Sequence, residues 1–316
     1  MKCKRKIIFL SAISIVLVML FICLGINSNN WQYILSRRVP TVIAMILTGG
    51  TIAFSSMIFQ TITNNRILTP NVLGLDFLYM FIQTAVVFLL GSTNINITNN
   101  NINFVISVSL MVIFSIVLFK VLFKRESNNI FFLLLVGLIF GTLFQSLSSF
   151  MQMLIDPNEF AIVQGKMFAS FNNINTEILL ISIVIVLLII VYAYDYMKIL
   201  DVLSLGREQA INLGVDYDKV TQKMLIIISI LVSVSTALVG PITFLGLLVV
   251  NLAREFINTY KHRYLIIASV LISIIALIGG QLVIERVINF NTTLSVIINF
   301  VGGVYFIYLL LKENRT

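Results

Sequence analysis

Charge, histidine, cysteine and proline are scarce in this chain of 316 residues: 11% are charged, and there are one histidine, two cysteines and four prolines. Cys3 and Cys23 lie toward one end. With His262 as the lone imidazole they cannot build a metal cage or a disulfide framework, so any metal must arrive already chelated. No segment reads Gly-x-x-x-x-Gly-Lys-Ser/Thr. The chain therefore lacks a phosphate-cradling loop, and any ATP is hydrolysed elsewhere. His262 stands in Tyr260-Lys261-His262-Arg263, without a His-Glu-x-x-His context or a carboxylate-paired serine, and reads as a solvated loop residue. Neither enzyme activity nor a bound cofactor is expected of this chain.

What is abundant is apolar. The chain is 59% hydrophobic with mean hydropathy +1.04, too little polar surface to cover a soluble globule, so its solvent is lipid. Ten apolar runs recur, each near the roughly twenty residues that an α-helix needs to cross about 30 Å of hydrocarbon. They are Ile7 to Ile26, Val42 to Ile62, Val72 to Leu90, Ile102 to Phe123, Ile130 to Ile155, Ile178 to Tyr196, Met224 to Val239, Ile242 to Phe256, Tyr264 to Ile284 and Leu294 to Leu311, the eighth being short. The first follows Lys2, Lys4, Arg5 and Lys6, but its core is too long for a signal peptide and no small-x-small site follows it, so it reads as an anchor. Ile22 is too bulky for a lipoprotein cleavage box before Cys23. The net charge of +8 sits in short loops, where it faces anionic lipid rather than nucleic acid.

The basic residues also orient the chain. With the N-terminus in the cytoplasm, ten spans put 17 lysines and arginines inside and leave only Arg37, Arg38, Lys166 and Arg286 outside. That positive-inside bias places both termini in the cytoplasm. Gly91 to Asn103 is an uncharged outer turn, whereas the segment 198–223 is a long, charged inner loop. In it Asp201 or Ser204 is positioned to cap a short helix through Ala210, with Gly214 ending it in a left-handed conformation.

Inside the membrane the residues are small and weakly polar. The thirteen carboxylates all fall in loops or near span ends, which disfavours an ion-coupled carrier with an acid at the membrane midplane. Thr48, Gly49, Gly50, Thr51, Ser55 and Ser56 in the second run, and Gly302 with Gly303 in the tenth, permit close helix approach. Gln145, Ser149 and Gln152 follow i, i+4, i+7 spacing and share one face, which either lines a polar passage or forms buried interhelical hydrogen bonds.

Three segments carry a family resemblance: Gln60 to Gly74 with Asn65 and Pro70, Leu205 to Val215, and Gly240-Pro241 to Gly246 running on to Arg254. Together they resemble the FecCD-type permeases of ferric-siderophore, haem and cobalamin ABC importers, over about Arg38 to Leu311. The resemblance implies an all-α type II importer fold comprising the whole chain, 1–316, as a single multi-pass domain of the bacterial cytoplasmic membrane. It implies a permease dimer around one pathway, two cytoplasmic ATPase subunits and an extracellular or periplasmic binding (lipo)protein. Leu205, Gly206, Ala210, Leu213 and Gly214 match the segment that docks on the ATPase. Arg38 and Arg286 match outer motifs near the binding-protein contact. Asn65-Arg66 where the family has Asn-Pro, Val250-Asn251 where it has Pro-His, Thr41 in place of an arginine, and the tail Asn289 to Leu294 resemble an iron-chelate subgroup that pairs with a sister permease, so a heterodimer is expected. The reading is an ATP-driven importer of a ferric siderophore. Haem or cobalamin as cargo, and a stand-alone secondary carrier, are the alternatives.

Overall fold

The computed structural model describes residues 2–24, 31–91, 100–123, 130–287 and 292–313. Several sequence features lie outside these: most of the outer turn after Gly91, the charged segment at Lys124, Arg125 and Glu126, and Asn289 to Asn291. The described elements are thirteen α-helices and one 3-10 turn, with no strand among them. In chain order the helices are α1 (Lys2–Cys23), α2 (Trp31–Ile62), α3 (Leu75–Leu90), α4 (Asn100–Phe123), α5 (Ile130–Leu154), α6 (Pro157–Lys166), α7 (Thr176–Tyr194), α8 (Met197–Leu203), α9 (Arg207–Asn212), α10 (Tyr217–Val239), α11 (Leu245–Ile257), α12 (His262–Arg286) and α13 (Leu294–Glu313).

Eight of the described helices are long and apolar enough to cross a membrane: α1, α2, α4, α5, α7, α10, α12 and α13. The third and eighth apolar runs differ from the rest. Val72 to Leu90 is not one helix: the 3-10 turn Pro70–Leu73 ends at Gly74, whose φ of 79° breaks the axis before α3 begins. α3 has 16 residues, about 24 Å at 1.5 Å per residue, and α11 has 13, about 20 Å, so both fall short of the bilayer core. Each is preceded by chain that is not α-helical and that enters the protein interior, where other helices help satisfy its backbone.

α2 forms the centre of the bundle, packed by α10, α11 and α12. Its small residues allow this: a Cβ on Gly49 would stand 2.8 Å from Ser273 Oγ and 2.9 Å from Leu277 Cδ1 of α12. One on Gly246 of α11 would overlap the Ser56 hydroxyl of α2. The helix begins eleven residues before the apolar run that marks it and takes in Arg37, Arg38 and Pro40. α6 was not evident from hydropathy. Its signal is chemical: Asp156 caps it by accepting from Asn158 N at 2.9 Å, and Pro157 occupies the first helical position, where its missing N–H costs nothing.

Candidate translocation pathway and coupling surface

The two broken segments meet inside the bundle. Asn71 Nδ2 donates to Thr243 O at 3.1 Å, and Thr243 Oγ1 donates to Asp76 Oδ2 at 3.2 Å. Gly74 holds the first segment against α5, since a Cβ there would lie 3.0 Å from Gly137 O and Gly141 Cα. Gly240, with φ of 102°, turns the second segment at the end of α10, where a Cβ would meet the Ala169 backbone at 2.9 Å. Between them lies a cavity of about 560 Å³, walled by both segments and by α5.

The motif residues therefore have distinct structural roles. Pro70 and Pro241 are buried at the start of each broken segment. Asn65 Oδ1 accepts from Ile67 N at 2.9 Å and turns the chain into the first. Gln60 is buried, and neither side-chain polar atom has a hydrogen-bond partner among the described residues. Arg254 is half-buried, with Nη2 3.4 Å from Met57 Sδ. Asp76 alters the reading of the carboxylates: in the first turn of α3 it is 7% exposed and lines the cavity, so one acid does lie within the bundle. The sequence concealed it because Val72 to Leu90 looked like a single span whose end was at Val72.

The face of α5 that carries Gln145, Ser149 and Gln152 is divided. Gln145 is exposed and lines the cavity; Ser149 is exposed with Thr142 and Ser146 beside it. Gln152 instead bonds within the bundle, donating to Thr84 Oγ1 at 3.2 Å and Ser148 Oγ at 2.9 Å. An exposed polar stripe on an otherwise apolar membrane helix is a surface for another protein rather than for lipid.

The inner loop folds as two short helices, α8 and α9. Neither Asp201 nor Ser204 caps α9: Asp201 lies inside α8, Ser204 Oγ donates back to Asp201 O at 2.7 Å, and Gly206, with φ of 100°, begins α9 without a side-chain cap. The left-handed exit at Gly214, φ 83°, is as the sequence implies. Leu205 and Leu213 are 56% and 62% exposed, whereas Ala210 is fully buried. Ala210 thus seats the loop, and the outward face is made by the two leucines and Ile211.

His262 is not a solvated loop residue. It is 1% exposed, and its Nδ1 lies 2.7 Å from Asp201 Oδ1, which also accepts from His262 N at 2.8 Å. Its Nε2 is 2.8 Å from Thr61 Oγ1. The ring therefore joins three elements, α8 of the inner loop, the start of α12 and the end of α2. The partners are 61 and 201 residues away in sequence, out of reach of any local motif.

On the opposite end, Arg38 is spent within the chain. It lies 3.8 Å from Glu285, donates to Phe21 O at 2.5 Å and also to Leu24 O, stapling the end of α1 to α2 and α12. Arg37 and Arg286 are exposed, with Arg286 Nη2 3.3 Å from Leu24 O. Lys166 donates to Gln83 Oε1 at 2.9 Å, and burial pushes its ammonium below the usual lysine range.

Known proteins share this architecture and sequence. The FecCD transport family model matches residues 6–312. The chain is 66% identical over 316 residues, all of both chains, to the petrobactin import system permease protein YclO of Bacillus subtilis (strain 168). It is 35% identical over 289 residues to the petrobactin import system permease protein FatC of Bacillus anthracis, covering 92% of this chain and 82% of that protein. A solved inward-facing structure of a metal-chelate type ABC transporter superposes with a TM-score of 0.81 at 20% identity, over 98% of this chain and 99% of the other, a likeness of fold.

Proposed function

This chain belongs to the FecCD transport family, and from that premise we propose that it carries ferric petrobactin inward as one member of a permease pair. It is a multi-pass permease of an ABC importer in the bacterial cytoplasmic membrane, working with a partner permease, an ATPase and a binding protein. The end-to-end 66% identity to a petrobactin import permease carries the choice of cargo. The partner permease is a sister chain rather than a second copy, as the departures at Thr41, Arg66 and Val250-Asn251 indicate. It covers the polar stripe of α5, so that the cavity beside Gln145 opens onto a shared pathway.

Two cytoplasmic ATPase subunits bind ATP and Mg and dock on Leu205, Ile211 and Leu213, while this chain does no chemistry on the chelate. The inner loop and both termini are cytoplasmic. Arg286 and Arg37 supply exposed positive charge for acidic residues on the binding protein, and Arg38 holds the helix ends that present them. The test is radioiron uptake from ferric petrobactin in cells whose own permease gene is deleted and which express this chain with its partner permease, ATPase and binding protein. Uptake that requires all four components is expected. No uptake above the permease-free strain, with the protein present in the membrane, would refute the reading. Ion-driven uptake by this chain alone in liposomes would favour a secondary carrier.

A further inference from the structure

The cavity wall is largely apolar, with uncharged polar residues such as Asn71, Gln145, Thr243 and Asn299, and Asp76 is the one charged side chain among the residues that line it. Asp76 is 7% exposed, its carboxylate accepts a hydrogen bond from Thr243 Oγ1 at 3.2 Å, and no lysine, arginine or histidine among the described residues lies within ion-pair distance of it. A carboxylate inside a membrane protein is costly unless a partner or a function offsets the cost. The α3 dipole supplies about half a positive charge at that first turn, which offsets part of the cost of a buried carboxylate without neutralising it.

Four phenylalanines, Phe77, Phe168, Phe244 and Phe306, line the same cavity. A carboxylate among aromatic rings suits an organic cation, whose charge the ring faces also attract. A bare metal ion would need several oxygen or nitrogen ligands. Among the described residues no group of three His, Cys, Asp or Glu is placed to hold one.

We propose that Asp76 is a specificity-determining residue that pairs with a protonated amine on the iron chelate as it crosses this cavity. The inference rests on the reading of the chain as a siderophore permease, but not on petrobactin as the cargo. The test uses cells carrying the complete importer and two radioiron chelates of one iron-binding donor set. One bears a free aliphatic amine and the other has that amine acetylated; both are first shown to be held by the binding protein. Asp76→Asn should lower uptake of the amine-bearing chelate at least about ten-fold, as loss of a close charge pair does, and change uptake of the acetylated chelate less than about two-fold. Asp76→Glu should restore most of the amine preference. Membrane abundance should be unchanged. An equal loss for both chelates would reduce Asp76 to a structural partner of Thr243 and overturn the proposal, as would full uptake of both by Asp76→Asn. Failure to take up ferric petrobactin, with the amine preference intact, would remove that cargo and leave this inference standing.

Discussion

Removing the Asp201 carboxylate should loosen the inner loop from the membrane helices without unfolding the bundle. In Asp201→Ala the buried His262 ring and the His262 N–H lose the same acceptor, at 2.7 and 2.8 Å. A buried donor left without an acceptor costs about 1–3 kcal/mol. At 1.4 kcal/mol per ten-fold, that raises the population of the detached loop by roughly 5- to 140-fold. Hydrogen exchange on the purified importer reads this directly: amides of 197–214 should exchange faster by that factor, while those at the centre of α2 stay protected. Uptake per ATP hydrolysed should fall, because the ATPase would push on a loop no longer held to α2. Asp201→Asn keeps one acceptor and should lie between. Lys219→Ala, which removes the exposed ion pair to Asp216 at 2.7 Å, should alter exchange by less than about two-fold. Unchanged exchange and unchanged coupling in Asp201→Ala would refute the argument that His262 ties the loop to the bundle.

The orientation is checked in a chain lacking Cys3 and Cys23. A cysteine at exposed Asn173 should react with an impermeant thiol reagent on intact cells, and one at exposed Glu208 only after lysis; the reverse pattern would invert the topology. For the coupling surface, Leu213→Asp should release the ATPase from the purified complex and abolish uptake while the permease still inserts, because the leucine is 62% exposed. Ala210→Leu acts from the other side, overpacking the seat of the loop at a cost of about 1–3 kcal/mol and lowering the melting temperature. If Leu213→Asp retains the ATPase and full uptake, docking lies elsewhere.

Hydropathy, the basic loops and short motifs determined a great deal by themselves, because lipid demands long apolar helices and those leave a period and a length in the sequence. The eight long spans, the short α11, the left-handed Gly214 and the close approach at Gly49 all follow from such local signals. Family membership was likewise legible in Gln60 to Gly74, Leu205 to Val215 and Gly240 to Arg254. Tertiary structure decided what depends on residues far apart in the chain. Asp76 looked like the acid near a span's end until Gly74 broke that span and placed it against Thr243, 167 residues away. Arg38 looked available until the end of α1 and Glu285 took up its guanidinium. His262 looked solvated between Lys261 and Arg263, yet only folding brings Asp201 and Thr61 to its two ring nitrogens. A helical period shows which residues share a face, but a buried polar group is defined by its partner, and its partner is supplied by the packing of another helix.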